Sequence, residues 1–214
     1  MDDSLLLVVG SPIGADSKDQ LTLLRAEGSM KASFFNRRRY YEGLPPLTQY
    51  SQTLADGTAG CVFASSSRDD SVFAFDYEGR LLAHGRLDLG GSFVTLKQRL
   101  REHDGQVRTA GGGWVFDGDP VQLKMVAIGG CRAVVQVAIY HAQGGIDPLD
   151  GGTVILLQAD SGRVEPVAKA VARAGLIGRD REGTPVFLRY TGTEKDAYVL
   201  SKLDIVASRS REDP

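Results

Sequence analysis

The sequence is poor in the side chains that most often mark metal centres and nucleophilic sites. Its 214 residues include two cysteines, three histidines and one tryptophan. Cys61 and Cys131 have neither a CxxC spacing nor a neighbouring histidine, so they lack the ligand pattern of a zinc site. His84, His103 and His141 lie far apart in the sequence. We therefore expect no metal site, and nothing in the sequence predicts a cofactor.

The motifs of the common enzyme classes are also missing. Gly10 to Gly14 has the glycine spacing of a phosphate-binding loop, but no Gly-Lys-Ser/Thr follows it. The chain contains no G-x-S-x-G elbow, no S-x-x-K pair and no H-E-x-x-H helix. We therefore predict no catalytic residue, and the sequence leans towards a protein that is not an enzyme.

Long apolar runs are absent as well. No stretch approaches the roughly 20 apolar residues that a membrane-spanning helix needs. The longest apolar run near the start, Leu5 to Val9, follows Asp2 and Asp3, whereas a signal peptide begins with basic residues and has a longer apolar region. We expect a cytoplasmic protein from the chain as it stands, or an exported one if a signal has been removed, so the compartment stays open.

The overall composition is that of an ordinary folded protein. The hydrophobic fraction of 42% is enough to build a sizeable core. The net charge of −2 and the pI near 5.9 give no general attraction to nucleic acid or to an anionic membrane. Both cysteines lie inside apolar runs, and we interpret them as buried free thiols, because unpaired cysteine behaves as a small hydrophobic residue. A single disulfide is the alternative if the protein is exported.

Short apolar runs bounded by Gly, Asp and Ser predict β-strands and hairpins. The clearest case is SVFAFDYEGRLLAHGRL, from Ser71 to Leu87, where alternate residues point to opposite faces and Glu78-Gly79 supplies the turn. Similar hairpins begin near positions 21, 71, 114, 153 and 186. In most cases another apolar strand precedes the hairpin, and a polar loop connects the two. One unit therefore consists of a strand, a polar loop, a strand, a tight turn and a strand.

A unit of about 40 residues with several strands resembles the repeats of β-propeller proteins. The resemblance implies an all-β fold, a propeller-like array of about five antiparallel hairpin units, in a single domain over residues 1–214. The alternatives are a β-sandwich, a large antiparallel barrel, or a mixed α+β fold. Residues 36–58 read as an irregular insertion containing Pro45-Pro46, and two segments suit short helices, Phe93 to His103 and Val164 to Leu176.

The most unusual local feature is the run Asn36-Arg37-Arg38-Arg39-Tyr40-Tyr41. Three guanidinium groups beside two phenols can grip carboxylates and stack on flat groups. Trp114 follows three glycines and is a second candidate anchor, although it also suits a core position. We take these residues as candidates for binding a partner: Arg37, Arg38, Arg39, Tyr40, Tyr41 and Trp114.

Acidic turns form a second group of polar residues. They are Asp69-Asp70, Asp117-Gly118-Asp119, Asp147 with Asp150, and Asp180 with Glu182. Oxygen-rich loops can hold Ca²⁺, but none of these matches an EF-hand loop, and Asp-Gly is common turn chemistry. We interpret them as turns.

By exclusion, the sequence favours a non-catalytic protein–protein interaction module of a bacterial type. It would be an adaptor in a larger assembly or an inhibitor of a partner protein, and its partner would be another protein with an acidic surface, not nucleic acid or a membrane interior. One alternative is a propeller-type enzyme that acts on a carbohydrate or lactone through acidic rim residues. Another is a glycan-binding, lectin-like protein.

Overall fold

The computed structural model describes residues 5–10, 19–36, 52–87, 89, 120–140, 152–190 and 198–202. Every regular element in these ranges is a β-strand. The described residues include no helix long and apolar enough to cross a membrane. The strands are β1 (Leu5–Val9), β2 (Asp19–Arg25), β3 (Met30–Asn36), β4 (Thr53–Thr58), β5 (Cys61–Ser66), β6 (Ser71–Phe75), β7 (Leu81–Arg86), β8 (Pro120–Gly129), β9 (Arg132–Ile139), β10 (Gly152–Asp160), β11 (Arg163–Ala172), β12 (Gly175–Arg179), β13 (Pro185–Tyr190) and β14 (Tyr198–Lys202).

These strands form one large sheet and two small ones. The large sheet has eight strands in the order β4-β5-β6-β7-β11-β10-β9-β8. It consists of two meanders, β4 to β7 and β8 to β11, whose last strands lie side by side and run parallel. The small sheets have three strands each, β1-β2-β3 and β12-β13-β14, and both are antiparallel.

The large sheet curls until its two edge strands meet. β4 contacts β8, so the sheet is nearly closed into a barrel, although no ladder of backbone hydrogen bonds joins these two described strands. The pairing directions around the sheet make β4 and β8 run parallel. We call the line of contact between them the seam.

Side-chain alternation gives the large sheet an inner and an outer apolar face. Along β5 and β6, Phe63 and Val72 point inwards, whereas Val62 and Phe73 point outwards. The inward residues of β5 to β11 form one buried cluster inside the barrel-like sheet. The outward residues of β5 and β6 pack against β2 and β3, and those of β8 to β11 pack against β12 and β13. Each small sheet therefore covers one part of the outer face.

The structure confirms the all-β prediction and most of the predicted hairpins. The pairs β2–β3, β6–β7, β10–β11 and β13–β14 correspond to the first, second, fourth and fifth hairpins, and the predicted returning strand of the third is β8. Five separate propeller units are not confirmed, because the second, third and fourth hairpins contribute to one continuous sheet. The alternative of a large barrel describes this sheet better, except that β7 and β11 run parallel.

Two local predictions differ from the structure. The helix predicted over Val164 to Leu176 is wrong, since this segment forms β11 and the start of β12. The interpretation of the cysteines as free thiols is also wrong: Cys61 and Cys131 form a disulfide with a Cα–Cα distance of 5.5 Å. The irregular insertion placed at residues 36–58 ends in β4, whereas the helix placed at Phe93 to His103 lies outside the described residues.

Candidate functional site

Among the described residues, the outer-face side chains of His84, Arg86, Arg163 and Glu165, at the junction between the two meanders, belong to neither of the apolar clusters that the small sheets form. β7 and β11 share only two registered residue pairs, Arg163 with His84 and Val164 with Gly85. Gly85 permits this close approach, because a Cβ atom at that position would overlap the carbonyl oxygen of Val164. Beyond these pairs the ladder ends, and a cleft of about 580 Å³ opens at the junction.

Strand alternation places six side chains on the outer face around this cleft. In the antiparallel pairing of β6 with β7, Phe73 lies beside His84 and Ser71 lies beside Arg86. In the parallel pairing of β7 with β11, Arg163 lies on the other side of His84. Glu165 lies two residues beyond Arg163 and therefore shares its face. We call this site the junction cleft; its outward-facing lining residues are Ser71, Phe73, His84, Arg86, Arg163 and Glu165.

The charged groups of the junction cleft are mostly exposed and have few partners. Arg86 is 4.0 Å, from Nε to Oδ2, from the buried carboxylate of Asp70. Among the described residues, the side chains of His84, Arg163 and Glu165 make no hydrogen bond and no ion pair. The nearly buried ring of Phe73 forms the apolar part of the lining. The cleft thus offers a guanidinium, an imidazole and a carboxylate to an incoming molecule.

The lining includes the residue types of a hydrolytic triad without its geometry. A serine nucleophile needs a base within hydrogen-bond reach, and the base needs a third group that orients it. No hydrogen bond joins Ser71 to His84 or His84 to Glu165 in the described part of the chain. The described side chains of the cleft therefore lack the hydrogen-bonded arrangement of such a triad.

The binding residues predicted from the sequence cannot be placed relative to this cleft. Arg37, Arg38, Arg39, Tyr40, Tyr41 and Trp114 all lie outside the described residues. Sequence reasoning missed the junction cleft. The alternation of His84, Gly85 and Arg86 in LAHGRL indicates two polar side chains on one face, but no local signal indicates that β11 lies beside them.

The described acidic turns are occupied by hydrogen bonds within the protein. Asp69 Oδ1 accepts a hydrogen bond from the backbone N–H of Asp70, at 2.8 Å. Asp180 Oδ1 accepts from the N–H groups of Glu182 and Thr184, and Lys202 forms an ion pair with its other oxygen. The hydrogen bond from Lys202 makes the largest contribution to holding the pKa of Asp180 below its ordinary value.

The interpretation of these segments as turns agrees with this geometry. Across the described ranges, no group of three or more His, Cys, Asp or Glu side chains is arranged to hold a metal ion. The acidic pairs at Asp117 with Asp119 and at Asp147 with Asp150 lie outside those ranges.

Comparisons with known proteins add no family. No protein-family model matches the chain, and no curated protein matches it either.

Proposed function

We propose that this chain is a non-catalytic protein–protein interaction module, an adaptor or an inhibitor, and that the junction cleft contacts its partner. The observation that supports the proposal is the exposed set of charged side chains that line the cleft at the described junction between β7 and β11. The side chains of His84, Arg163 and Glu165, which have no partner among the described residues, are available to bind a second molecule.

The residue types in the cleft suit a protein surface. Arginine and aromatic side chains are enriched in interfaces, where arginine binds carboxylates in a bidentate manner and its stem packs on rings. Arg163 has no carboxylate partner of its own in the described structure, and Arg86 has only the long contact with Asp70. A partner that presents an acidic group to Arg163 and a donor group to Glu165 would complement the cleft.

Binding measurements with a purified partner test this proposal. The tagged chain is used to retain proteins from cells of its source organism, the candidate is identified by mass spectrometry, and its affinity is measured by titration calorimetry. Replacing both arginines, Arg86→Glu with Arg163→Glu, should raise Kd by about thirtyfold or more, because truncated or reversed anchors cost roughly 2 kcal/mol. The melting temperature should stay nearly constant, since both side chains are exposed.

Arg173→Glu is the matched control, because Arg173 is exposed near the end of β11 and does not line the cleft. This variant should bind as the wild type does. A partner that binds the double variant with wild-type affinity would remove the junction cleft from the interface. Failure to retain any specific partner would contradict the interaction function itself.

The arginine-rich run remains a separate part of the proposal. Charge reversal at Arg37, Arg38 and Arg39 together should weaken the same complex and leave the melting temperature nearly unchanged. Unaltered affinity would show that this run does not contribute to binding.

A further inference from the structure

The two ends of the barrel-like sheet differ in how the strands are connected. Tight turns join β4 to β5, β6 to β7, β8 to β9 and β10 to β11 at one end. At the opposite end, β8 and β10 begin, and β9 and β11 finish. We call this opposite end the mouth. The junction cleft and the flanking sheets lie on the outer face of the sheet, so the mouth is a distinct region.

A cavity of about 300 Å³ opens at the mouth. Most of its lining residues lie at the ends of β8, β9, β10 and β11, and one lies shortly after the end of β7. They are Leu89, Pro120, Val137, Ala138, Ile139, Gly152, Thr153 and Val171. None of these side chains is ionisable, and the hydroxyl of Thr153 is the only side-chain polar group among them.

The cavity continues the inner apolar cluster towards solvent. Val137 belongs to the buried cluster inside the sheet, and Leu89 packs against that cluster. At the rim, Val171 is 83% exposed and Ile139 is 42% exposed. Apolar side chains exposed around an apolar cavity lower their free energy when an apolar molecule removes them from water. The described lining therefore disfavours charged ligands, because a charged group would lose hydration there without gaining a partner among these residues.

We infer that the mouth binds a small, uncharged, predominantly apolar molecule. Small-molecule pockets have volumes of roughly 300–1,000 Å³, and the mouths of barrels are among their preferred places. A cavity of about 150 Å³ suffices for benzene, so the observed volume, which opens to solvent, suits a molecule of two or three fused or linked rings or an alkyl chain of similar size. The Thr153 hydroxyl would accept or donate the single hydrogen bond that orients such a molecule.

Binding of N-phenyl-1-naphthylamine, an uncharged two-part aromatic fluorophore, tests the inference. Its emission rises in apolar surroundings, so titration of the intact chain should give a saturable signal with one site per chain. Val171→Glu places a carboxylate on the rim and should raise the Kd of the probe by about tenfold or more. Circular dichroism melting should show little change, because Val171 is almost fully exposed.

Val167→Glu is a matched control on the same strand. Val167 is 40% exposed and does not line the cavity, so this variant should bind the probe as the wild type does. The inference fails if the wild type gives no saturable signal, or if both variants weaken binding equally. It also fails if a purified partner protein displaces the probe competitively, since the mouth would then receive a partner's side chain. None of these results depends on the junction cleft.

Discussion

At the scale of single residues, three hairpins use the same five-residue turn. The turns run from Arg25 to Ser29, from Asp76 to Arg80 and from Asp180 to Thr184, and each has Glu-Gly at its third and fourth positions. In each, the first residue's N–H donates to the carbonyl of the fifth, and the glycine's N–H donates to the carbonyl of the first. The glycines have φ values of 85°, 78° and 84°, which other residues rarely adopt.

Asp76 adds a side-chain anchor to its turn. Burial raises the pKa of this carboxyl, but the hydrogen bonds from Arg80 and Glu78 outweigh burial and hold the pKa below its ordinary value. A folded-state pKa below the unfolded one means that the ionised carboxylate stabilises the fold above the ordinary carboxyl pKa. That contribution is lost as the pH falls through the folded-state value.

We expect Asp76→Asn to lower the free energy of unfolding by about 1 kcal/mol at neutral pH, because the charge-assisted bonds become ordinary ones. The deficit should shrink in acid, where the wild-type carboxyl is protonated as well. Urea unfolding at neutral pH and below the folded-state pKa measures both effects. Glu165→Gln removes an exposed carboxylate that has no partner among the described residues, so it should change the free energy of unfolding at neither pH. A deficit of Asp76→Asn that stays constant in acid would contradict the assignment.

At the scale of elements, side-chain alternation and turn residues were sufficient to predict the hairpins β2–β3, β6–β7 and β10–β11. The pairing of two strands in a hairpin is determined by residues that are close together in the sequence. The segment from Val164 to Leu176, which contains most of β11, was also interpreted as a short helix, and that interpretation is wrong. A β-bulge opposite Leu156 and Leu157 shifts the register of β11, so Val164 faces the inner cluster whereas Ala168 faces the outer one. This change of face along β11 breaks the simple alternation that marks a strand in the sequence.

Pairing between the meanders was not predictable from the sequence. The contacts of β7 with β11 and of β4 with β8 join strands that are far apart in the chain, and tertiary packing alone decides them. The junction cleft depends on the first of these contacts, which explains why sequence analysis did not find it. The seam depends on the second contact, and it is held by side chains instead of a backbone ladder.

Arg179 of β12 bridges the seam near the end where β4 and β8 finish. Its guanidinium donates to Asp56 Oδ2 at 2.8 Å and to the carbonyl of Gly57 at 3.0 Å on β4, and also to the carbonyl of Ala127 on β8. Asp56 Oδ2 accepts a further bond from the N–H of Ala127, at 3.0 Å. One planar group thus satisfies acceptors on both edge strands, which a lysine ammonium cannot reproduce.

Arg179→Lys should lower the free energy of unfolding by about 2–3 kcal/mol, because it leaves partly buried acceptors without donors. Urea denaturation monitored by circular dichroism measures this loss. The matched exchange Arg173→Lys, at an exposed site, should stay within about 0.5 kcal/mol of the wild type. Equal stabilities of the two variants would show that Arg179 does not hold the seam.

At the scale of the whole molecule, the nearly closed sheet is fastened near both ends of the seam. At the mouth, the buried Gln122 bonds to the carbonyl of Ser67 through its backbone N–H and accepts from the hydroxyl of Ser65. At the opposite end, the disulfide joins Cys61, the first residue of β5, to Cys131 in the turn after β8. The disulfide therefore links the two meanders across the line where the described strands share no ladder.

The Cys61–Cys131 disulfide closes a chain segment with a sequence separation of 70 residues. Closing a loop of that length removes conformational freedom from the unfolded chain, which corresponds to about 4 kcal/mol of stabilisation. The double variant Cys61→Ala with Cys131→Ala should lose about this much in urea unfolding. Reduction should destabilise the wild type by a similar amount and leave the double variant unchanged, because no other described cysteine exists. If the reduced and oxidised wild-type proteins unfold at the same urea concentration, the stability of the seam does not depend on this disulfide. The ion pair of Arg179 with Asp56 and the hydrogen bonds of Gln122 would then be sufficient to hold the sheet closed.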